Sequence, residues 1–211
     1  MEKTNRAPKK SSAFDRRDFI KTGAAAAAVS SLSIERGAFA QASDTVKVAL
    51  IGCGGRGSGA ANQALSTNGD VKLVAMADAF KDRMDGSQKG LQRAHGLKVD
   101  VKDENKFVGF DAFKEAIALA DMVILATPPG FRPVHFTEAV KQGKHVFMEK
   151  PVAVDGQGVR QVLAAAQEAK KKNLKVGVGL QRHHQLGYQQ VVQKIHDGAI
   201  GDIVSARSYW N

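Results

Sequence analysis

The sequence predicts an α/β protein built on a doubly wound parallel sheet. Three observations lead to this fold class. Short apolar segments alternate with stretches of helical character, a glycine-rich turn follows the first apolar segment, and residues 121–126 are apolar almost throughout. Nearly continuous apolar strands are typical of parallel sheets that helices cover on both faces.

The first 42 residues are predicted to be a signal peptide and a linker, outside this fold. Arg16 and Arg17 lie in a segment that resembles the twin-arginine export motif, and an alanine-rich run and an A-x-A site follow at 23–29 and 38–40. Asp15 replaces the Ser or Thr common in the motif, and a disordered basic tail is the alternative interpretation. The apolar run is weaker than a membrane span of about 20 residues requires. We therefore expect no stable membrane span, a partnership with the twin-arginine machinery and a periplasmic or otherwise exported protein.

Composition places the chain among globular proteins. It has 211 residues, of which 43% are hydrophobic and 25% charged, with a formal net charge of +10. The basic residues are scattered apart from the run at 170–172, which the end of a helix explains as a solvated face, so we expect no nucleic-acid partner. A moderate positive charge suits an anionic ligand. The single cysteine excludes an internal disulfide.

The first half of the predicted domain runs from residue 44 to the third strand. A β-branched strand at 46–51 leads to a small-residue helix at 55–66, a turn and a second strand at 71–77. A polar helix at 79–97 follows, and 99–107 is a charged connection without a clear pattern. A helix at 111–119 then leads to the apolar strand at 121–126.

The second half repeats the alternation of helix and strand. Its predicted elements are a helix at 132–142, a strand at 144–148, a helix at 155–172, a strand at 174–180, a helix at 188–196 and a strand at 203–210. We assign 44–180 to one nucleotide-binding domain. The open strand at 203–210 has no later partner, and because exposed apolar edges are a liability we expect a truncated chain.

The turn after the first strand is the main candidate site. Its glycines have the G-x-G-x-x-G spacing that holds a pyrophosphate in dinucleotide-binding βαβ units of Rossmann type. The first would allow the tight turn, the second the close approach of the phosphate, and the third the packing of helix on sheet, with about half a positive charge at the helix N-terminus. The candidate residues are Gly52, Cys53, Gly54, Gly55, Arg56 and Gly57. Cys53 is interpreted as a small filler, since no base partner for a nucleophile is identifiable.

Asp78 is the candidate for cofactor choice. It follows the second strand, 21 residues after Gly57, close to the spacing at which a carboxylate accepts hydrogen bonds from the adenosine ribose. The alternative is a cap on the next helix. The ribose role favours NAD over NADP, because a 2′-phosphate would meet like charge, although Arg56, Lys81 and Arg83 lie nearby.

The third strand ends in a rigid corner formed by Thr127, Pro128 and Pro129. Ligands of doubly wound sheets lie beyond the carboxyl ends of the strands, so this corner is well placed to border the nicotinamide.

Taken together, these residues and those that follow resemble the Gfo/Idh/MocA family of NAD(P)-dependent sugar oxidoreductases. The resemblance covers about 46–211. It rests on the glycine loop, Asp78, the sequence ATPP at 126–129 with His135 behind it, GKHV at 143–146 and then Glu149-Lys150-Pro151. The combination is specific where each motif alone is not. It implies a doubly wound Rossmann-type domain in which His135 and Glu149 belong to the cofactor site.

The resemblance also implies roles for particular residues. Lys150 would lie at the nicotinamide and hydrogen-bond the substrate hydroxyl as the catalytic lysine, and the peptide bond before Pro151 is often cis in the family. Arg182 is similar to the family's substrate-contacting arginine. Of His183 and His184 at most one is expected to contact substrate, because neighbours point apart, and we choose His183. No metal site is expected, since no third ligand has a suitable spacing.

The predicted function is hydride transfer between NAD and a sugar or polyol hydroxyl by an exported enzyme. The resemblance further implies that 181–211 only begins the α+β substrate and oligomerisation domain, that the family's catalytic Asp and His would follow it, and that the full-length protein is a homo-oligomer. One alternative is a glycosidase that uses tightly bound NAD by oxidation and elimination. The other is a chain that binds the cofactor without turnover.

Overall fold

The computed structural model of the chain describes residues 45–209. Within that range six parallel strands form one sheet in the order β3-β2-β1-β4-β5-β6. The strands are β1 (Val46–Ile51), β2 (Val71–Asp78), β3 (Lys106–Val108), β4 (Met122–Leu125), β5 (His145–Met148) and β6 (Val176–Val178). The chain moves outward from β1 to β3, then returns to the other side of β1 as β4. The order reverses between β1 and β4, which is where ligands bind in doubly wound sheets.

Helices cover both faces of this sheet. They are α1 (Gly55–Leu65), α2 (Lys81–His95), α3 (Phe113–Ala118), α4 (Arg132–Lys141), α5 (Gly156–Lys171) and α6 (Leu186–His196). One core cluster joins the sheet to α1 and α2, and the other joins it to α3, α4 and α5. Alternate residues of β1 enter opposite clusters, Val48 and Leu50 one and Ala49 and Ile51 the other, which explains why residues 48–51 are all apolar. No helix within residues 45–209 is long and apolar enough to cross a membrane.

Two strand predictions differ from the structure. The end of the connection predicted at 99–107 belongs to a strand: Lys106 and Phe107 begin β3, which pairs with the end of β2, where Met76 lies opposite Lys106. Residues 203–209, predicted as part of a strand, have no strand structure, and Val204 is 96% exposed. A strand requires a hydrogen-bonded neighbour, and among the described residues none lies beside this segment. The signal peptide and the end of the predicted strand at residue 210 lie outside the described residues.

Candidate functional site

The glycine loop lies where the sheet order reverses. Gly52 has φ +93°, and a Cβ there would lie 2.6 Å from the backbone nitrogen of Thr127. A Cβ on Gly57 would overlap the carbonyl oxygen of Gly52. Glycine is therefore required at the turn and where α1 packs on the loop. A Cβ on Gly54 would have only Arg83 Nη1 near it, at 3.9 Å, and one on Gly55 would have nothing within 4 Å, so the outer face of the loop is open.

The N-terminus of α1 is uncapped. Gly54 occupies the cap position without a side-chain hydrogen bond, and the first turn has no acidic residue. The first N–H groups of a helix have no intrahelical acceptor, and the helix dipole adds positive potential there. The open face of the glycine loop thus leads to donors that suit an anion such as a pyrophosphate.

Two backbone groups hold Asp78 in place. Its Oδ2 accepts a hydrogen bond of 2.6 Å from the N–H of Cys53, and its Oδ1 accepts one of 2.9 Å from the N–H of Phe80. The cap residue of α2 is Phe80, so Asp78 is not the helix cap that the alternative interpretation required. Each oxygen keeps lone pairs, and the carboxylate lines the cavity described below.

Cys53 is buried, and its thiol is unreactive. Burial raises the pKa of its thiol well above the ordinary value, and the charge of Asp78 raises it further. Its Sγ donates to the carbonyl oxygen of Ala77 at 3.6 Å, and its N–H is engaged by Asp78. The residue is a packed filler of the loop, and its backbone amide is already in use.

A cavity of about 580 Å³ opens at the carboxyl ends of β1, β2 and β4. Six of the predicted site residues line it, namely Gly52, Gly54, Asp78, Thr127, Pro128 and His135. Sequence reasoning missed its aromatic wall, formed by Phe80, Phe110, Phe113 and Phe131, and named Arg83 only as a cation near Asp78. Their positions in the sequence could have predicted this wall, because Phe80, Phe110 and Phe131 all lie in segments that follow the carboxyl end of a strand, where ligands bind in such sheets.

A buried polar cluster supports the corner after β4. Arg132 is 1% exposed and donates to the carbonyl oxygens of Leu125 and, at 2.7 Å, Thr127. His135 Nδ1 is 3.1 Å from Thr127 Oγ1, and its ring packs 4.3 Å from that of Phe113. Burial lowers the pKa of His135 to about 4, with a further contribution from Arg132, so the ring is neutral near pH 7. Two buried side chains, Arg132 and the neutral His135, thus hold the corner after β4 in place.

Glu149 and Lys150 follow β5 but have opposite environments. The side chain of Glu149 is 5% exposed, and Arg56 Nη2 lies 2.6 Å from its Oε1. Lys150 is exposed and has no carboxylate partner within 4 Å among the described residues. The peptide between Lys150 and Pro151 is cis, as the family resemblance implies.

The remaining predicted residues lie outside the cavity lining. Arg182 and His183 are exposed in a short 3₁₀ turn, Gln181–His184. The Arg182 guanidinium lies 4.8 Å from the Tyr188 ring centroid and donates to its hydroxyl. The other predicted residues that do not line the cavity are Cys53, Gly55, Arg56, Gly57, Pro129, Glu149 and Lys150.

The sheet order, the open glycine loop and the carboxylate after β2 define a dinucleotide-binding domain of Rossmann type. Residues 46–179 match the sequence profile of the Gfo/Idh/MocA family, described as an oxidoreductase family with an NAD-binding Rossmann fold, and the chain belongs to that family. The predicted fold class, family and NAD cofactor are thereby confirmed. Residues 13–33 match the signal sequence of the twin-arginine translocation pathway, which confirms the predicted export address.

Similar proteins include several inositol dehydrogenases. The chain is 32% identical over 159 residues to inositol 2-dehydrogenase of Rhizobium meliloti, covering 75% of this chain and 43% of that protein. It is 33% identical over 161 residues to inositol 2-dehydrogenase of Ralstonia nicotianae, with 74% and 43% coverage. Among solved structures, scyllo-inositol dehydrogenase from Lactobacillus casei with NAD(H) and scyllo-inositol is 26% identical, with a TM-score of 0.59 and 75% and 43% coverage. The chain thus spans less than half the length of these relatives.

Proposed function

We propose that the chain is the cofactor-binding part of an exported NAD-dependent oxidoreductase that acts on a sugar or polyol hydroxyl. The observation that carries the proposal is the cavity in which the open glycine loop and the oriented Asp78 meet. The resemblance to inositol dehydrogenases supports a polyhydroxylated substrate. When bound, the nicotinamide would accept or supply the hydride, and the chain's residues would bind and orient the reactants.

The cavity suits the adenosine half of the dinucleotide. Asp78 can accept hydrogen bonds from two ribose hydroxyls, since both of its oxygens retain free lone pairs. A 2′-phosphate on the ribose would be repelled by the negative charge of Asp78, which favours NAD over NADP. The rings of Phe80, Phe110 and Phe131 offer flat apolar surfaces for the adenine.

At the nicotinamide end of the dinucleotide, Lys150 is the proposed catalytic residue. Its exposed ammonium follows β5 and can donate a hydrogen bond to a substrate hydroxyl, and the family resemblance supports a role in holding or relaying the hydroxyl proton. Thr127, Pro128 and Pro129 would border the nicotinamide. The substrate contacts proposed for Arg182 and His183 rest on the resemblance alone.

The discriminating experiment is titration of the purified chain with NAD⁺ and NADP⁺ by calorimetry. The chain should bind NAD⁺ more tightly than NADP⁺. Asp78→Asn should weaken NAD⁺ binding by about tenfold while sparing NADP⁺, because it removes the charge that repels a 2′-phosphate and weakens acceptance from the ribose. Asp82→Asn removes the same charge from an exposed site in α2 and should leave the ratio of the two affinities unchanged. No NAD⁺ binding, or an unchanged ratio in Asp78→Asn, would contradict the proposal.

The chemistry has a separate test. The chain is incubated with NAD⁺ and a panel of inositols while NADH absorbance is followed. NADH formation that Lys150→Met abolishes, with NAD⁺ affinity retained, supports hydride transfer by this chain. Binding without NADH formation assigns it cofactor binding alone.

A further inference from the structure

An ion pair joins the glycine loop to the segment that carries Lys150. Arg56 belongs to the first turn of α1, and its Nη2 lies 2.6 Å from Oε1 of Glu149, the residue before Lys150. Among residues 45–209 this is the only ion pair of Glu149 within 4 Å. The contact therefore links the expected pyrophosphate site with the proposed catalytic lysine, although the two are remote in sequence.

The Glu149 carboxylate depends on this partner. Its side chain is 5% exposed, and Oε1 has no partner with hydrogen-bond geometry, so the charge of Arg56 is its main compensation. A buried carboxylate that loses its cation is strongly destabilised. Arg132 also acts on Glu149 through its charge, but its guanidinium donates to the carbonyl oxygens of Leu125 and Thr127.

Gly179 fixes the position of the carboxylate from the opposite side. A Cβ on Gly179 would lie 2.6 Å from Oε1 and 2.8 Å from Oε2 of Glu149, so the carboxylate rests directly on the glycine backbone. Because Gly179 follows β6, the carboxylate is held between α1 and the end of β6. It has little space to move without moving the backbone that leads to Lys150.

We propose that Arg56 is a positioning residue that couples the pyrophosphate site to Lys150 through Glu149. Arg56 neutralises Glu149 close to where an anion must bind and holds the start of the Glu149-Lys150-Pro151 segment. A dinucleotide then meets a neutral pair instead of a buried negative charge. This inference rests on the proposed dinucleotide site, but its ion pair can be tested without a ligand.

The test is a double-mutant cycle on the 211-residue chain, comprising the wild type, Arg56→Met, Glu149→Gln and the double variant. Calorimetry measures the Kd of NAD⁺. Arg56→Met should raise the Kd by about tenfold in the wild-type background and by less than about threefold in the Glu149→Gln background, because only the first case leaves an uncompensated carboxylate. Arg56→Lys should recover part of the loss.

Arg83→Met is the matched control, since Arg83 lies near Gly54 but makes no ion pair with Glu149. Arg83→Met should raise the Kd of NAD⁺ by the same factor in the wild-type and the Glu149→Gln backgrounds. If Arg56→Met also costs the same factor in both, Arg56 acts directly on the pyrophosphate and the proposal is overturned.

The melting temperature without ligand separates this proposal from the proposed function. Arg56→Met should lower the Tm of the protein with Glu149 and leave the Tm of Glu149→Gln nearly unchanged. If the wild type bound no NAD⁺, the proposed function would fail, and the Tm cycle alone would decide the positioning role. Additive Tm losses would overturn it.

Discussion

His135 is a buried group whose protonation the fold opposes. Its folded pKa is about 4 against an ordinary value of 6.5, with burial the larger cause and Arg132 the smaller. Well above pH 6.5 the ring is neutral in both the folded and the unfolded chain. As the pH falls from 6.5 to 4, the unfolded chain takes up a proton that the folded one does not, so the free energy of unfolding decreases. By about pH 5 the loss is about 2 kcal/mol.

The prediction is that His135→Gln removes this loss. Between about pH 7 and about pH 5 the wild type should lose roughly 5 °C more in Tm than His135→Gln. Thermal unfolding followed by circular dichroism measures the difference. His196→Gln changes an exposed histidine at the end of α6 and should retain the wild-type loss. Equal losses in the wild type and His135→Gln would contradict the assignment.

The exposed aromatic rings of the cavity make a second residue-level prediction. Phe110 is 72% exposed and Phe80 is 61% exposed, and the ring of Phe110 stacks 5.9 Å from that of Phe131. If adenine binds against them, Phe110→Ala should weaken NAD⁺ and ADP-ribose by the same factor, about tenfold, because base stacking is worth about 1–3 kcal/mol. Calorimetry with both ligands measures this. Leu97→Ala, at a 94% exposed position away from the cavity lining, should change neither affinity.

Which site residues could be predicted depends on how they are placed along the chain. Gly52, Gly57 and Asp78 belong to one strand-turn-helix-strand unit, so their spacing in sequence specifies their spacing in space. The aromatic wall comes from separate loops that only the sheet order brings together. The pairing of Arg56 with Glu149 likewise depends on β1 and β5 both ending at the same edge of the sheet.

At the scale of elements, burial decides which strands are predictable. β1 and β4 have apolar side chains toward both faces, and an apolar run reveals them. β3 is short and begins with Lys106, so its sequence has no clear strand pattern. It is a strand because it pairs with the end of β2. The predicted strand at 203–210 has the β-rich composition but lacks a neighbouring strand among residues 45–209. Composition therefore predicts strands well only where both faces are covered.

The glycine loop gives a prediction for a whole element, the turn between β1 and α1. Gly57→Ala should destabilise the domain by about 3 kcal/mol or more, because its methyl group would overlap the backbone oxygen of Gly52 and cannot be relieved by a rotamer change. Denaturant unfolding measures the change.

Gly59→Ala is the matched control in the same helix. No heavy atom lies within 4 Å of the position of its methyl group, so the substitution should stabilise α1 by about 0.5–1 kcal/mol through helix propensity alone. Similar effects of the two substitutions would show that the helix does not pack on the loop as described.

At the scale of the whole molecule, the alternation of strands and helices predicts the doubly wound fold, and strand order places the site at the reversal between β1 and β4. Substrate choice is a different matter. The matched relatives are more than twice as long as the region that this chain shares with them, and the proposed substrate contacts Arg182 and His183 do not line the cavity. The described residues therefore account for cofactor binding better than for substrate selection.

Export of the chain should depend both on its signal sequence and on the folding of its nucleotide-binding domain. The signal at residues 13–33 contains Arg16 and Arg17, and we expect the twin-arginine machinery to export the protein only after it has folded. Replacing both arginines by lysine should leave the precursor in the cytoplasm, measured by immunoblotting of fractionated cells. Gly57→Ala should also block export because it disrupts folding, whereas Gly59→Ala should reach the periplasm. Periplasmic Gly57→Ala would mean that the glycine loop is not needed for the exported fold, and a periplasmic double lysine variant would mean that the signal is not read by this pathway.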